Sequence, residues 1–169
     1  EQNNLLTSDT TDTVSNPLAM NMYVLGYDSN KNLTTTNQAV KENLKTYLSQ
    51  YRMLTDSINL RDAFIINIQV NFDIIPLGDQ NANQVLLTCV NAVKDYFDVE
   101  KWQINQPIQY TDIYNILLRQ SGVQTVTNVV INNLNDSSLG YSNIAYNIKE
   151  ATRNGIIYPS LDPMIFEVK

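Results

Sequence analysis

Apolar and polar positions alternate along DAFIINIQVNFDIIPLG, residues 62–78. Phe64, Ile66, Ile68, Val70, Phe72 and Ile74 fall on one side at period two, and Ile65, Asn67, Gln69, Asn71 and Asp73 fall on the other. This pattern predicts a half-buried strand that stops at Pro76 and Gly78, because proline donates nothing to a ladder and glycine permits the turn. Further strands are predicted over residues 18–27, ending in the turn DSNKN, around Ser57–Leu60, over the β-branched run VQTVTNVVIN (123–132), and more weakly over WQINQPIQ (102–109). Helical spacing appears three times. Val40, Leu44, Tyr47, Leu48 and Tyr51 follow a capping box of Thr35 and Gln38. Val85, Leu86, Cys89, Val93, Tyr96 and Phe97 share one face of a helix over 83–97, and Ile113, Ile116 and Leu117 lie on a helix capped by Thr111 and ended by Gly122.

The resulting order, β-α-β-α-β-α-β with short connections, predicts an α/β to α+β fold in which helices pack mainly on one face of a mixed sheet. One-sided cover follows from residues 64–74, since a strand buried on both faces reads as a continuous apolar run. Residues 1–16, polar and without period, are expected to be a flexible arm or linker. Residues 17–132 are expected to form the main domain. Residues 133–169 are read as a C-terminal extension with a modest helix near 143–152 and a final strand in MIFEVK. The start at Glu1 without methionine and the stop inside MIFEVK lead us to expect a fragment of a longer polypeptide.

Composition sharpens the question of what the polar side of residues 65–73 meets. Only 17% of the 169 residues are charged, and about a fifth are Asn or Gln. Amides cost less to desolvate than charges, so the excess suits surfaces that become covered; compositional drift in an Asn-rich genome explains it equally well. The net charge of −6, with no basic stripe, disfavours nucleic acid. No apolar run reaches membrane-span length, so no membrane insertion is expected. There is no histidine, which removes the commonest general base and metal ligand, and there is no phosphate-binding or nucleophile-elbow motif. Cys89, the one cysteine, reads as core packing. Asp95, Asp98 and Glu100 in KDYFDVEKW read as a solvated helix end neutralised by Lys94 and Lys101. No enzyme, metal or cofactor is therefore expected. Ten tyrosines suit interfaces. Tyr47, Tyr51 and Tyr96 lie at core spacing, whereas Tyr141, Tyr146 and Tyr158, in the looser C-terminal part, fit either packing or a partner surface.

The runs NLKTYLSQYRMLTDSINLRDAFIINIQVNFDI, VLLTCVNAVKDYFDVEKWQINQPI, GVQTV and NGIIYPSLDPMIFEVK resemble the C-terminal part of the large baseplate wedge subunits of T-even-like contractile-tailed bacteriophages, within the wider baseplate-J-like family. The resemblance runs from about Asn16 to Lys169, interrupted around Asn132 to Asn147. It departs from the general family where Arg52 is followed by Met53 rather than proline. It implies a structural, non-enzymatic subunit of the virion's tail baseplate, assembled in the host cytoplasm, forming a homodimer, joining other wedge subunits and linking wedges into the ring around the tail hub. No catalytic, cofactor or metal residues come with it. The interface candidates are Ile65, Asn67, Gln69, Asn71, Tyr141, Tyr146 and Tyr158, and Lys at positions 67 and 71 is expected to weaken assembly while leaving the monomer folded. The alternative reading is a small-molecule-binding regulatory domain of split β-α-β type.

Overall fold

The computed structural model describes residues 6–7, 19–51 and 57–169. The arm expected over 1–16 lies outside them except for Leu6–Thr7, and so does the Arg52–Met53 connection. In chain order the elements are β1 (Leu6–Thr7), β2 (Ala19–Val24), β3 (Gly26–Tyr27), β4 (Leu33–Thr34), α1 (Gln38–Ser49), β5 (Ser57–Asp62), β6 (Phe64–Pro76), α2 (Ala82–Tyr96), β7 (Ile108–Gln109), α3 (Tyr110–Leu118) and β8 (Val123–Leu134). A 3₁₀ turn (Ser137–Leu139), β9 (Ala145–Tyr146), α4 (Ile148–Ala151), β10 (Thr152–Arg153), β11 (Ile156–Ile157) and β12 (Met164–Val168) complete it. The architecture is mixed α/β of the α+β type.

The long alternating run forms β6, the centre of a three-stranded mixed sheet in the order β12-β6-β8. β12 runs parallel to Phe64–Ile68, and β8 runs antiparallel from Asn67 to Pro76. Residues 133–169 thus supply a strand to the central sheet, and Met164, Ile165 and Phe166 lie in the main core. On β8 the core-facing residues Val123, Val126, Val129 and Ile131 are spaced by three, three and two, which a flat strand cannot place on one face. Two irregularities correct the phase. The register slips between Asp73 and Ile74 and again between Ile75 and Pro76, so Val126 stands opposite Ile74 and Val123 opposite Pro76.

α2 and α3 cover one face of this sheet. Val85, Cys89 and Val93 of α2 and Ile113 and Leu117 of α3 share one core with Ile66, Ile68, Val129 and Ile131. Burial of Cys89 pushes its thiol pKa up, as an inert packing residue requires. Tyr96, Phe97 and Trp102 close one end of the core with ring centroids 4.9–5.4 Å apart, and the Tyr96 hydroxyl donates to Asp112 at 3.2 Å, tying α2 to α3. Leu86, expected on the buried face of α2, is 45% exposed.

Several boundaries differ from expectation for local reasons. α1 is capped by Asn37, whose side chain accepts from Ala39 N, rather than by Thr35. α3 begins at Tyr110 without a side-chain cap bond, and its C-cap is Arg119; Gly122 adopts its left-handed φ of +90° in the turn beyond. The weak strand over 102–109 shrinks to β7, since Gln103 N bonds Gln106 Oε1 in a turn instead of a ladder. The helix near 143–152 shortens to the four residues of α4, because Thr152 and Arg153 leave it for a hairpin with Ile156–Ile157. Asn154 and Gly155 supply the two positive φ angles that a two-residue type I′ loop demands.

β2 and β5 pair in parallel through a crossover holding the β3–β4 hairpin and α1. The helical spacing predicted for α1 is present, but the burial is not: α1 has no buried residue, and Val40, Tyr47 and Tyr51 are exposed by 54%, 57% and 73%. A sheet of two strands is too narrow to cover an apolar stripe that a wider sheet would bury. Tyr47 and Tyr51 meet each other with rings tilted by 54° and centroids 5.2 Å apart, instead of joining the core.

Candidate interaction surface

The side of the central sheet turned away from α2 and α3 is amide-rich and bare over most of its length. Gln69, Asn71 and Asp73 on β6 and Asn128, Val130 and Asn132 on β8 are all exposed, and register places Gln69 beside Asn132, Asn71 beside Val130 and Asp73 beside Asn128. Among the described residues, Asn128 Nδ2 donates to Asp73 Oδ2 at a long 3.5 Å. Among the described residues, the surface is one of neutral polar groups around Val130, 39% exposed, with one carboxylate at Asp73. It is cheap to dehydrate and holds hydrogen-bonding groups for a covering chain.

The other end of that face is closed by the chain itself, which corrects the expectation for Asn67. Its side chain is 3% exposed. Nδ2 donates to Glu167 Oε2 at 2.8 Å, and Oδ1 accepts from Ser142 N at 2.6 Å. The segment after β8 folds back over the start of β6, so Asn67 is a buried structural amide. Lysine there would break the monomer's own network rather than test a partner surface. Ile65 is half-buried and packs against the core. Tyr146 is 4% exposed and its hydroxyl donates to the Tyr158 carbonyl; burial pushes its pKa up to about 12. It too is internal. Tyr141 is half-buried beside the same cleft as Asn67, while Tyr158, 45% exposed, remains at the surface. Of the seven candidates, Gln69 and Asn71 lie together on the bare face, and Tyr158 lies apart on the loop after β11.

Glu167 was not singled out in the sequence, although a lone acid inside MIFEVK is an unusual strand residue. It is 4% exposed. Oε1 accepts from Leu33 N at 2.8 Å and lies 3.1 Å from Lys169 Nζ, while Oε2 accepts from Asn67. An open cleft of about 520 Å³ borders this group, lined among others by Asp28, Thr34, Asp62, Ile65, Tyr141 and Ile144. Its buried polar atoms at Asn67 and Glu167 already bond one another. Asp28 accepts from Asn32 and Asn30, bonds that hold its carboxyl below the usual range. Asp98 caps Glu100 N and pairs with Lys101 at 3.3 Å, which occupies the acid cluster at the end of α2. Among the described residues no three His, Cys, Asp or Glu side chains gather as a metal-holding group, and no helix is long and apolar enough to cross a membrane.

No family model and no curated protein matches the chain. Among solved structures, the chain is similar to one in the cryo-EM structure of the anti-feeding prophage baseplate, six-fold symmetrised, with a TM-score of 0.51 at 13% identity. The match covers 79% of this chain and 26% of that one, so this chain spans about a quarter of its neighbour's length. At that identity the likeness is one of fold.

Proposed function

We propose that this chain is a structural part of a contractile-tail baseplate, acting through protein–protein contacts and not through catalysis. The fold shared with an anti-feeding prophage baseplate chain over 79% of the present chain supports this reading. The finer role is that of the large wedge subunit: it self-associates as a homodimer, joins other wedge subunits and links wedges into the ring around the tail hub. It works in the virion tail and is assembled in the host cytoplasm. The bare amide face at Gln69, Asn71, Asn128 and Asn132 is the surface assigned to assembly, because its neutral polar groups dehydrate at small cost and re-form hydrogen bonds with a covering chain.

The test is solution mass across a dilution series, comparing wild type with Gln69→Lys/Asn71→Lys. The expected outcome is an associating wild type and a folded variant that associates at least about tenfold more weakly, since unpaired charge is expensive to bury. Equal association of the two proteins would remove the assignment of this face. Thermal melting against a metabolite panel separates the ligand-binding alternative, in which the midpoint rises with ligand concentration.

A further inference from the structure

We propose that β2, the β3–β4 hairpin, α1 and β5 form a separately hinged body that turns about Ala63 and is held shut against the central sheet by Glu167. The backbone changes partners at a single residue. Ala63 N donates to Val24 O at 3.3 Å, the last rung of the β2–β5 ladder, and Phe64 N donates to Pro163 O at 2.9 Å, the first rung of the β12–β6 ladder. Among the described residues no strand pairs with both sheets. The body has ties of its own: Asp62 accepts from Thr36 N at 3.1 Å and pairs with Lys41 of α1, and Ile58 is buried on β5. It therefore moves as a unit.

Among the described residues, what crosses from this body to the rest is a handful of side chains: Leu25 packs against the main core, and Lys31 Nζ lies 3.6 Å from Glu100 Oε1 in an exposed pair. Leu33 seats its side chain in the main core, Leu33 N donates to Glu167 Oε1, and Lys169 Nζ donates to Asn32 Oδ1 at 2.7 Å. Glu167 grips the other side through Asn67, whose Oδ1 in turn holds Ser142 N. One carboxylate thus ties the β3–β4 hairpin, the central sheet and the segment after β8 at one point. The cleft of about 520 Å³ lies along this joint, with Asp28, Thr34 and Asp62 on the hinged body and Tyr141 and Ile144 opposite. A carboxylate beside such a cleft regains water when Leu33 N leaves, which offsets the lost bond. Deeply buried apolar contacts at Ile66, Ile68 and Leu117 have no such compensation, so the joint opens before the core does.

Amide hydrogen exchange on the full chain tests this. Glu167→Gln keeps the volume but sets an amide N–H against Asn67 Nδ2 or Leu33 N. The expected result is a loss of protection at the Leu33 and Ser142 amides of about ten- to a hundredfold, with Ile66, Val129 and Ile131 and the β2–β5 ladder unchanged. Lys169→Ala, a milder change at a partly exposed residue, is expected to produce a smaller loss at the same amides, and it decides the matter if the glutamine variant does not fold. Equal loss at joint and core amides, or no loss at Leu33, overturns the hinge.

Discussion

Gly122 joins α3 to β8 with φ +90°, and a Cβ built there stands 2.7 Å from Val85 Cγ2. Both backbone and packing exclude a side chain. Gly122→Ala is expected to destabilise the fold by about 1–3 kcal/mol, read as a lower denaturant midpoint at unchanged slope. Asn67 carries a different weight. Asn67→Ala leaves Glu167 Oε2 and Ser142 N without their partners, and a loss of about 2–3 kcal/mol is expected in the same measurement. Gln69→Ala, two residues along the same side of the strand and exposed, is expected to stay within about 0.5 kcal/mol. Period two cannot tell these residues apart, because it gives direction but not what lies above each position; that is set by residues 140–144, distant in sequence.

Among the elements, α1 and α2 carry equally clear apolar spacing, and only α2 is buried. Spacing reports that a helix has a face, whereas burial depends on the width of the sheet beneath it. Tyr47→Ser is accordingly expected to change monomer stability by no more than about 0.5 kcal/mol, against a loss of about 2–5 kcal/mol for Leu117→Ala, which is fully buried in α3. Thermal or urea unfolding of the two variants side by side checks the contrast. β8 makes the same point for strands. Its β-branched run announces a strand, but the three-three-two spacing of Val123, Val126, Val129 and Ile131 becomes a core face only through two register slips against β6.

For the molecule as a whole, the tyrosines that lock the core predict its alkaline limit. Burial, and for Tyr96 the Asp112 carboxylate, raises the Tyr96 and Tyr146 pKa values to about 12, against about 10 in an unfolded chain. A raised tyrosine pKa favours the neutral, protonated form in the fold. Stability from these groups is complete below about pH 10, where both states are protonated. It is lost as pH rises towards about 12, where the unfolded state has given up the proton first. Unfolding followed by circular dichroism beside tyrosinate absorbance is expected to set in over this interval, with a smaller pH dependence in Tyr146→Phe.

The sequence by itself determined the long half-buried strand, the three helical stretches, the α+β class and the lack of histidine chemistry, because period, capping residues and residue type act over a few neighbours. It also marked Gln69 and Asn71 as uncharged strand positions. Only the tertiary structure decided that β12 returns beside β6, that Asn67 and Tyr146 serve the chain's own interior, and that Glu167 gathers three segments into one joint. The first and last of these, and the burial of Asn67, depend on groups 75 to 134 residues apart meeting in a shared, water-poor space, and no local pattern carries that distance.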